Sequence, residues 1–149
     1  MLGFLSGHLH DDNTLIYSSE DRIRIKKLQV DLLELLYPDG DYQYAAQYAE
    51  IACSHLVSIY LDRKDHENAW YWLEKGADFA IHFDTYDFDA AHTSPILRGY
   101  SDGGWIMEKS GNRSQVMLDW LMNDNKAEEF RSDARFDALA ARLKNVAKK

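Results

Sequence analysis

Apolar and polar positions alternate with a helical period through most of this chain. The clearest stretch runs from Cys53 to Phe83, where Cys53, Leu56 and Tyr60 precede a polar turn at Asp62-Arg63-Lys64-Asp65 and Ala69, Leu73 and Gly76 follow it. That spacing predicts two antiparallel helices, with small residues at Ala69 and Gly76 allowing close approach and Leu56, Tyr60 and Leu73 filling the seam. Upstream, Ser18-Ser19 followed by Glu20-Asp21 reads as a helix start, because a hydroxyl caps free amides and acids favour the positive end of the helix dipole. The expected buried stripe of this first helix is Ile25, Leu28, Leu32, Leu35 and Leu36, and Pro38 with Asp39-Gly40-Asp41 ends it.

The second helix is expected from about Tyr42 to Leu61, with Ala45, Ala49, Ala52, Leu56 and Ile59 on one side and Tyr44, Tyr48, Ile51 and His55 on another. Two apolar sides imply two neighbours. Asp65 caps the third helix, whose close-packing face is Ala69, Leu73, Gly76, Ala77 and Ala80, with Trp70 and Trp72 pointing elsewhere. From Thr85 to Gly111 the period fails amid Thr93-Ser94-Pro95, Gly99, Gly103-Gly104 and several aromatics, so short helical turns are expected within a long loop. Helicity resumes after Ser110-Gly111-Asn112 with Val116, Met117, Trp120 and Leu121. It breaks at Asn123-Asp124-Asn125 and ends in a helix capped by Ser132 or Asp133, with Phe136, Leu139, Ala140 and Leu143 inward. The expectation is an all-α fold of five to six helices: antiparallel hairpins in one domain over 19–149, behind an irregular lead-in over 1–18 in which Leu15-Ile16-Tyr17 forms a short strand.

Composition narrows the function classes. A chain of 149 residues buries a core without disulfides, and the single cysteine, Cys53, sits among apolar neighbours as a small hydrophobe, which fits a reducing, cytoplasmic setting. The opening Met1-Leu2-Gly3-Phe4-Leu5 lacks the basic flank and apolar run of a signal peptide, so neither secretion nor a membrane span is expected. A net charge of −8 opposes nucleic-acid binding. The basic runs at Arg22 to Lys27 and Arg142 to Lys149 read as a solvated helix face and a helix C-terminus. An aromatic content of 13% fits either a bulky core or an aromatic-lined groove.

Leu56, Tyr60, Ala69, Leu73 and Gly76 resemble the leucine, tyrosine, alanine, bulky and small positions of a tetratricopeptide repeat. Cys53 replaces its tryptophan, Val57 its first glycine, and no proline closes the unit near Ile81. A second pattern is the ordered set Tyr37-Pro38-Asp39-Gly40-Asp41-Tyr42, Ala69 to Asp84, Thr93-Ser94-Pro95 and Phe130 to Phe136 with Leu139. It resembles the C-terminal tetratricopeptide-like domain of bacterial helix-turn-helix regulators of the Cro/repressor type. The resemblance spans roughly residues 20 to 146 and implies a stacked-hairpin array, a short α-α superhelix, acting as a sensor or dimerisation half. A DNA-binding headpiece would be separate from this chain.

Catalytic and metal chemistry find little support. His82, Asp84 and His92 carry ligand types for zinc or iron in a spacing that matches no motif, and capping or turn roles account for them. His8-x-His10 chelates only if it lies on a strand. Ser94 near His92 lacks an orienting acid and an oxyanion site, and Gly103-Gly104 lacks the strand and helix of a phosphate loop. No cofactor is expected. On the tetratricopeptide analogy, Ile51, Ser54, Ser58, Leu61 and Asp62 face a concave binding surface whose wall includes Tyr86, Phe88 and Trp105. The expected function is therefore a non-enzymatic ligand- or peptide-binding or dimerisation domain, its partner a peptide, a protein or a second copy. A freestanding protein–protein adaptor and an enzyme of unknown class are the alternatives.

Overall fold

Gly76 brings two helices together more tightly than any other residue type would. In the computed structural model, which describes residues 17–104 and 111–147, a β-carbon placed on Gly76 would lie 3.1 Å from Cys53 Cβ and 3.3 Å from Met117 Cε. Cys53 belongs to α2 (Ala46–Asp62) and Gly76 to α3 (His66–Thr85), which share the most extensive interhelical contact. Ala49, Ala52, Cys53, Leu56 and Tyr60 meet Ala69, Leu73 and Ala77 there, all buried. The expected seam is present. Lys64 turns the chain in a left-handed conformation (φ 58°), and the Asp65 carboxylate accepts the Asn68 amide to start α3.

The helix α1 (Ser19–Leu36) packs on α2. Ser18 is its N-cap, accepting the Asp21 amide at 3.1 Å. Its buried face differs from the expected stripe: Ile23, Val30 and Leu33 are inside with Tyr37, while Leu28 and Leu35 are 52% and 73% exposed. Ile25, Leu32 and Leu36 are half-buried. The helix is apolar on two sides, and the inward one also takes Lys26 and Gln29, whose aliphatic stems lie against apolar neighbours. Trp72 lies under the Lys27 and Lys75 ammonium groups, and Lys75 pairs with Glu34, so cations and aromatics stitch α1 to α3.

The remaining helices are α4 (Arg113–Asn123), the single turn α5 (Glu128–Arg131) and α6 (Phe136–Val146). Six α-helices and three short 3-10 turns make up the described residues, with one isolated β-bridge between Ala91 and Ser101 and no strand. Helices α4 and α6 pack on each other and on α3, placing Met117, Leu121, Leu139 and Leu143 in the core. Trp70 is buried edge-on against Phe130 beneath the Arg135 guanidinium, so this tryptophan joins α3 to α5 and α6. The cap expected from Ser132 or Asp133 falls instead to Arg135, without a side-chain bond to the helix. Asp133 accepts from the Arg135 amide and guanidinium, which holds its carboxyl down at about 2. Residues of the lead-in, including His8, His10, Leu15 and Ile16, lie outside the described residues, as does Trp105.

Valine at Gly76 should test the seam. A branched side chain there meets Cys53 on the opposing helix, and overpacking of this kind costs about 1–3 kcal/mol. Denaturant unfolding of Gly76→Val should show that loss. A variant as stable as the wild type would mean that α2 and α3 are not in contact at this residue.

Candidate functional site

Between α2 and α4, with Leu73 of α3 among its lining, lies a groove of about 340 Å³. Helix α2 contributes Ile51, Ser54, Val57 and Ser58, and helix α4 contributes Val116, Met117 and Trp120. Of the eight positions expected at a binding surface, Ile51, Ser54 and Ser58 line this groove. Leu61 and Asp62 line a neighbouring depression with Lys126, Glu128 and Ser132, beyond the C-terminal end of α2. Tyr86 and Phe88 are elsewhere: Tyr86 stacks on His82 and packs with Phe83 and Phe88, where burial pushes its hydroxyl pKa up. The expected wall is therefore supplied by α4. Val116 is 56% exposed and stands at the groove's edge.

The groove owes its second wall to Asp84. This carboxylate, 7% exposed, accepts the amides of Arg113 at 3.0 Å and Ser114 at 2.7 Å, while Asn112 accepts that of Gln115. The first amides of α4 are thereby satisfied by a side chain from the end of α3, and a negative charge meets the positive end of the α4 dipole. Helix α4 also carries the guanidinium of Arg113, whose Nε donates to Glu50 at 2.7 Å and whose Nη2 donates to the same carboxylate oxygen. Ser54 donates to the other oxygen of Glu50 at 2.9 Å. Glu50 is only 4% exposed, and a carboxylate that dry needs such partners. The capping role expected for Asp84 is present, but sequence reasoning did not find the helix it caps, nor the Glu50–Arg113 bridge, since the partners are 29 and 63 residues apart.

The expected metal-like trio is dispersed into structural roles. His82 Nε2 accepts the amide of Gln43 at 3.0 Å, which supports the left-handed backbone of Gln43 (φ 44°). His92, 4% exposed, stands between two carboxylates, with Nδ1 3.0 Å from Asp41 and Nε2 3.4 Å from Asp102. Asp84 caps α4. Among the described residues no group of His, Cys, Asp or Glu is arranged to hold a metal ion. Ser94 Oγ donates to Asp39 and Thr93 Oγ1 to the same carboxylate at 2.8 Å, so Ser94 serves the loop, and Pro95 opens a turn where a short helix was expected. Gly103 sits in a 3-10 turn and donates its amide to the Phe88 carbonyl. Asp102, in the same turn, accepts the Tyr44 amide at 2.8 Å. Together these bonds form a latch fastening the segment 86–104 to the turn after α1 and to the start of α2.

Comparison with known proteins returns no matching family, no matching curated sequence and no matching solved structure. No helix among the described residues is long and apolar enough to cross a membrane.

The latch gives a pH prediction. Partial burial raises the Asp41 pKa, but the Thr93 amide, the Gln43 side chain and His92 outweigh it and leave the carboxyl below its ordinary 3.8; Ser94 and Thr93 lower Asp39 as well. A carboxyl whose folded pKa is depressed adds stability that is whole above the unfolded value and drains away as pH falls through the folded one. Protection of the Thr93 amide, taken relative to its intrinsic exchange rate at each pH, should therefore be high at neutral pH and fall below about pH 4. Asp41→Asn should show fast exchange already at neutral pH. Exchange of Thr93 that is the same in both proteins across this range would dismiss the latch.

Proposed function

We propose that this chain is a non-enzymatic binding domain of tetratricopeptide-like build, similar to the regulatory part of a Cro/repressor-type regulator, and that the groove between α2 and α4 receives its ligand. One observation carries the reading: an apolar groove with small residues on one wall and Trp120 on the other, set between two helices that are joined by the Glu50–Arg113 bridge. Such a concavity, largely preformed and edged by a few polar groups, has the character of a ligand site. The alternation α2, α3, α4, α6 supports the stacked-hairpin reading, since α2 and α4 then play the first helix of successive pairs and line one side.

The side chains best suited to catalysis favour the same conclusion. His92, Ser94 and Asp84 are each occupied by contacts that fix a loop or a helix end, and Cys53 is fully buried with its thiol pKa pushed up by desolvation. A nucleophile needs access and an adjacent base. Localisation in the cytoplasm goes with the reduced, buried Cys53.

Filling the groove is the test. Ser58→Trp introduces a ring that occupies it from the α2 side, at a half-buried residue that already lines the groove. Binding of a neutral solvatochromic dye such as Nile red should be present in the wild type and lost in the variant, with circular dichroism and melting temperature unchanged. Equal dye binding by the two proteins would remove the groove from consideration.

A further inference from the structure

The guanidinium of Arg113 is only partly used. Its Nε and Nη2 donate to one oxygen of Glu50, yet among the described residues Nη1 meets no acceptor, and the side chain lines the groove at 24% exposure. Arginine has five N–H donors and keeps its charge at any physiological pH, so the remaining donors face a cavity whose other surfaces are largely apolar. Glu50 itself is saturated by Arg113 and Ser54 and is nearly dry, which leaves it no role toward a cationic guest. The groove's lining also includes Lys126 at its far end, whose ammonium pairs with Asp62 at 3.5 Å, so Arg113 is the cation that faces the apolar lining. The backbone amides at the start of α4 are spoken for by Asp84 and Asn112, so the anion-accepting group is the side chain of Arg113 and not the helix terminus.

We infer that the groove binds a single-chain aliphatic carboxylate of medium length, its head group on Arg113 and its hydrocarbon chain along Val57, Leu73, Val116, Met117 and Trp120. The inference rests on the groove reading of the previous section and adds the chemistry of the guest. Its length is set by the cavity: about 340 Å³ holds a chain of the decanoate class and excludes a folded polypeptide element. The net charge of −8 does not forbid an anion, because charges on distant faces are screened beyond about 8 Å at physiological salt.

The probes are sodium decanoate and 1-decanol, which share a chain and differ in the head group, each measured on the full chain by calorimetry and by displacement of Nile red. Arg113→Ala would strand the buried Glu50, so the paired variant Glu50→Gln/Arg113→Gln replaces the bridge by neutral groups of similar shape, and Arg113→Lys keeps the charge without the planar fork. Decanoate should bind the wild type and weaken about tenfold or more in the paired variant, the size of one hydrogen bond to a charged group. Decanol should be indifferent to that change, and Ser58→Trp should abolish both. Decanoate that binds no better than decanol, or binds the paired variant equally well, overturns the carboxylate assignment while leaving the groove reading in place. Decanoate binding that survives Ser58→Trp places the site elsewhere and overturns it too. Failure of decanoate, decanol and Nile red alike overturns this inference and the groove reading together.

Discussion

The fold depends on how closely α2 and α3 approach at Gly76. With no side chain there, Cys53 sits against the α3 backbone, and the row of alanines on both helices carries the same spacing along the seam. Small residues forfeit hydrophobic area per residue, but they let two helices lie close enough for the larger groups around them to be covered: Leu56, Leu73 and Phe83 are essentially inaccessible. Met117 reaches the same point from α4. Helix α4 is thus located by the contact that joins α2 and α3, and the groove is the space left between α2 and α4 above this seam.

Polar bonds then fix what the apolar seam leaves free. Asp84 ties the start of α4 to the end of α3, and Glu50 ties it to α2 through Arg113, so the helix forming the second wall is held at one end by two carboxylates from two different helices. Both lie in places where water cannot easily replace a lost partner, which makes each bond costly to break even where its net contribution is modest. The latch around His92 has a comparable role for the segment 86–104. It joins Asp39, Asp41 and Asp102 to Thr93, Ser94 and His92, with Tyr37 packed against the imidazole ring.

Much of the helical framework was legible from the chain. Ser18 and Asp65 cap helices where their positions before apolar-periodic runs predict, helicity resumes directly after Asn112 as expected, and Ala69, Leu73 and Gly76 form the seam that their spacing announces. The orientation of α1 was not legible. Ile25, Leu28, Leu32 and Leu35 make a more regular apolar row than Ile23, Val30 and Leu33, and period alone cannot say which of two apolar sides a neighbour takes when Lys26 and Gln29 accompany the buried one. The groove was legible on its α2 wall alone, through Ile51, Ser54 and Ser58. Its α4 wall depends on Asp84, Glu50 and Arg113, whose pairings cross long stretches of sequence and leave no local pattern. Aromatics of the long loop looked like a wall because they are numerous, yet Tyr86 and Phe88 serve the packing around His82 instead.

The seam between α2 and α3 is tested most directly by the reactivity of the only thiol in the chain, which lies at its centre. Under native conditions at slightly alkaline pH, Cys53 should react with an aromatic disulfide reagent only as fast as the whole domain unfolds, and the rate should rise with denaturant in step with global unfolding. Immediate stoichiometric labelling in native buffer, while circular dichroism reports intact helices, would contradict the account.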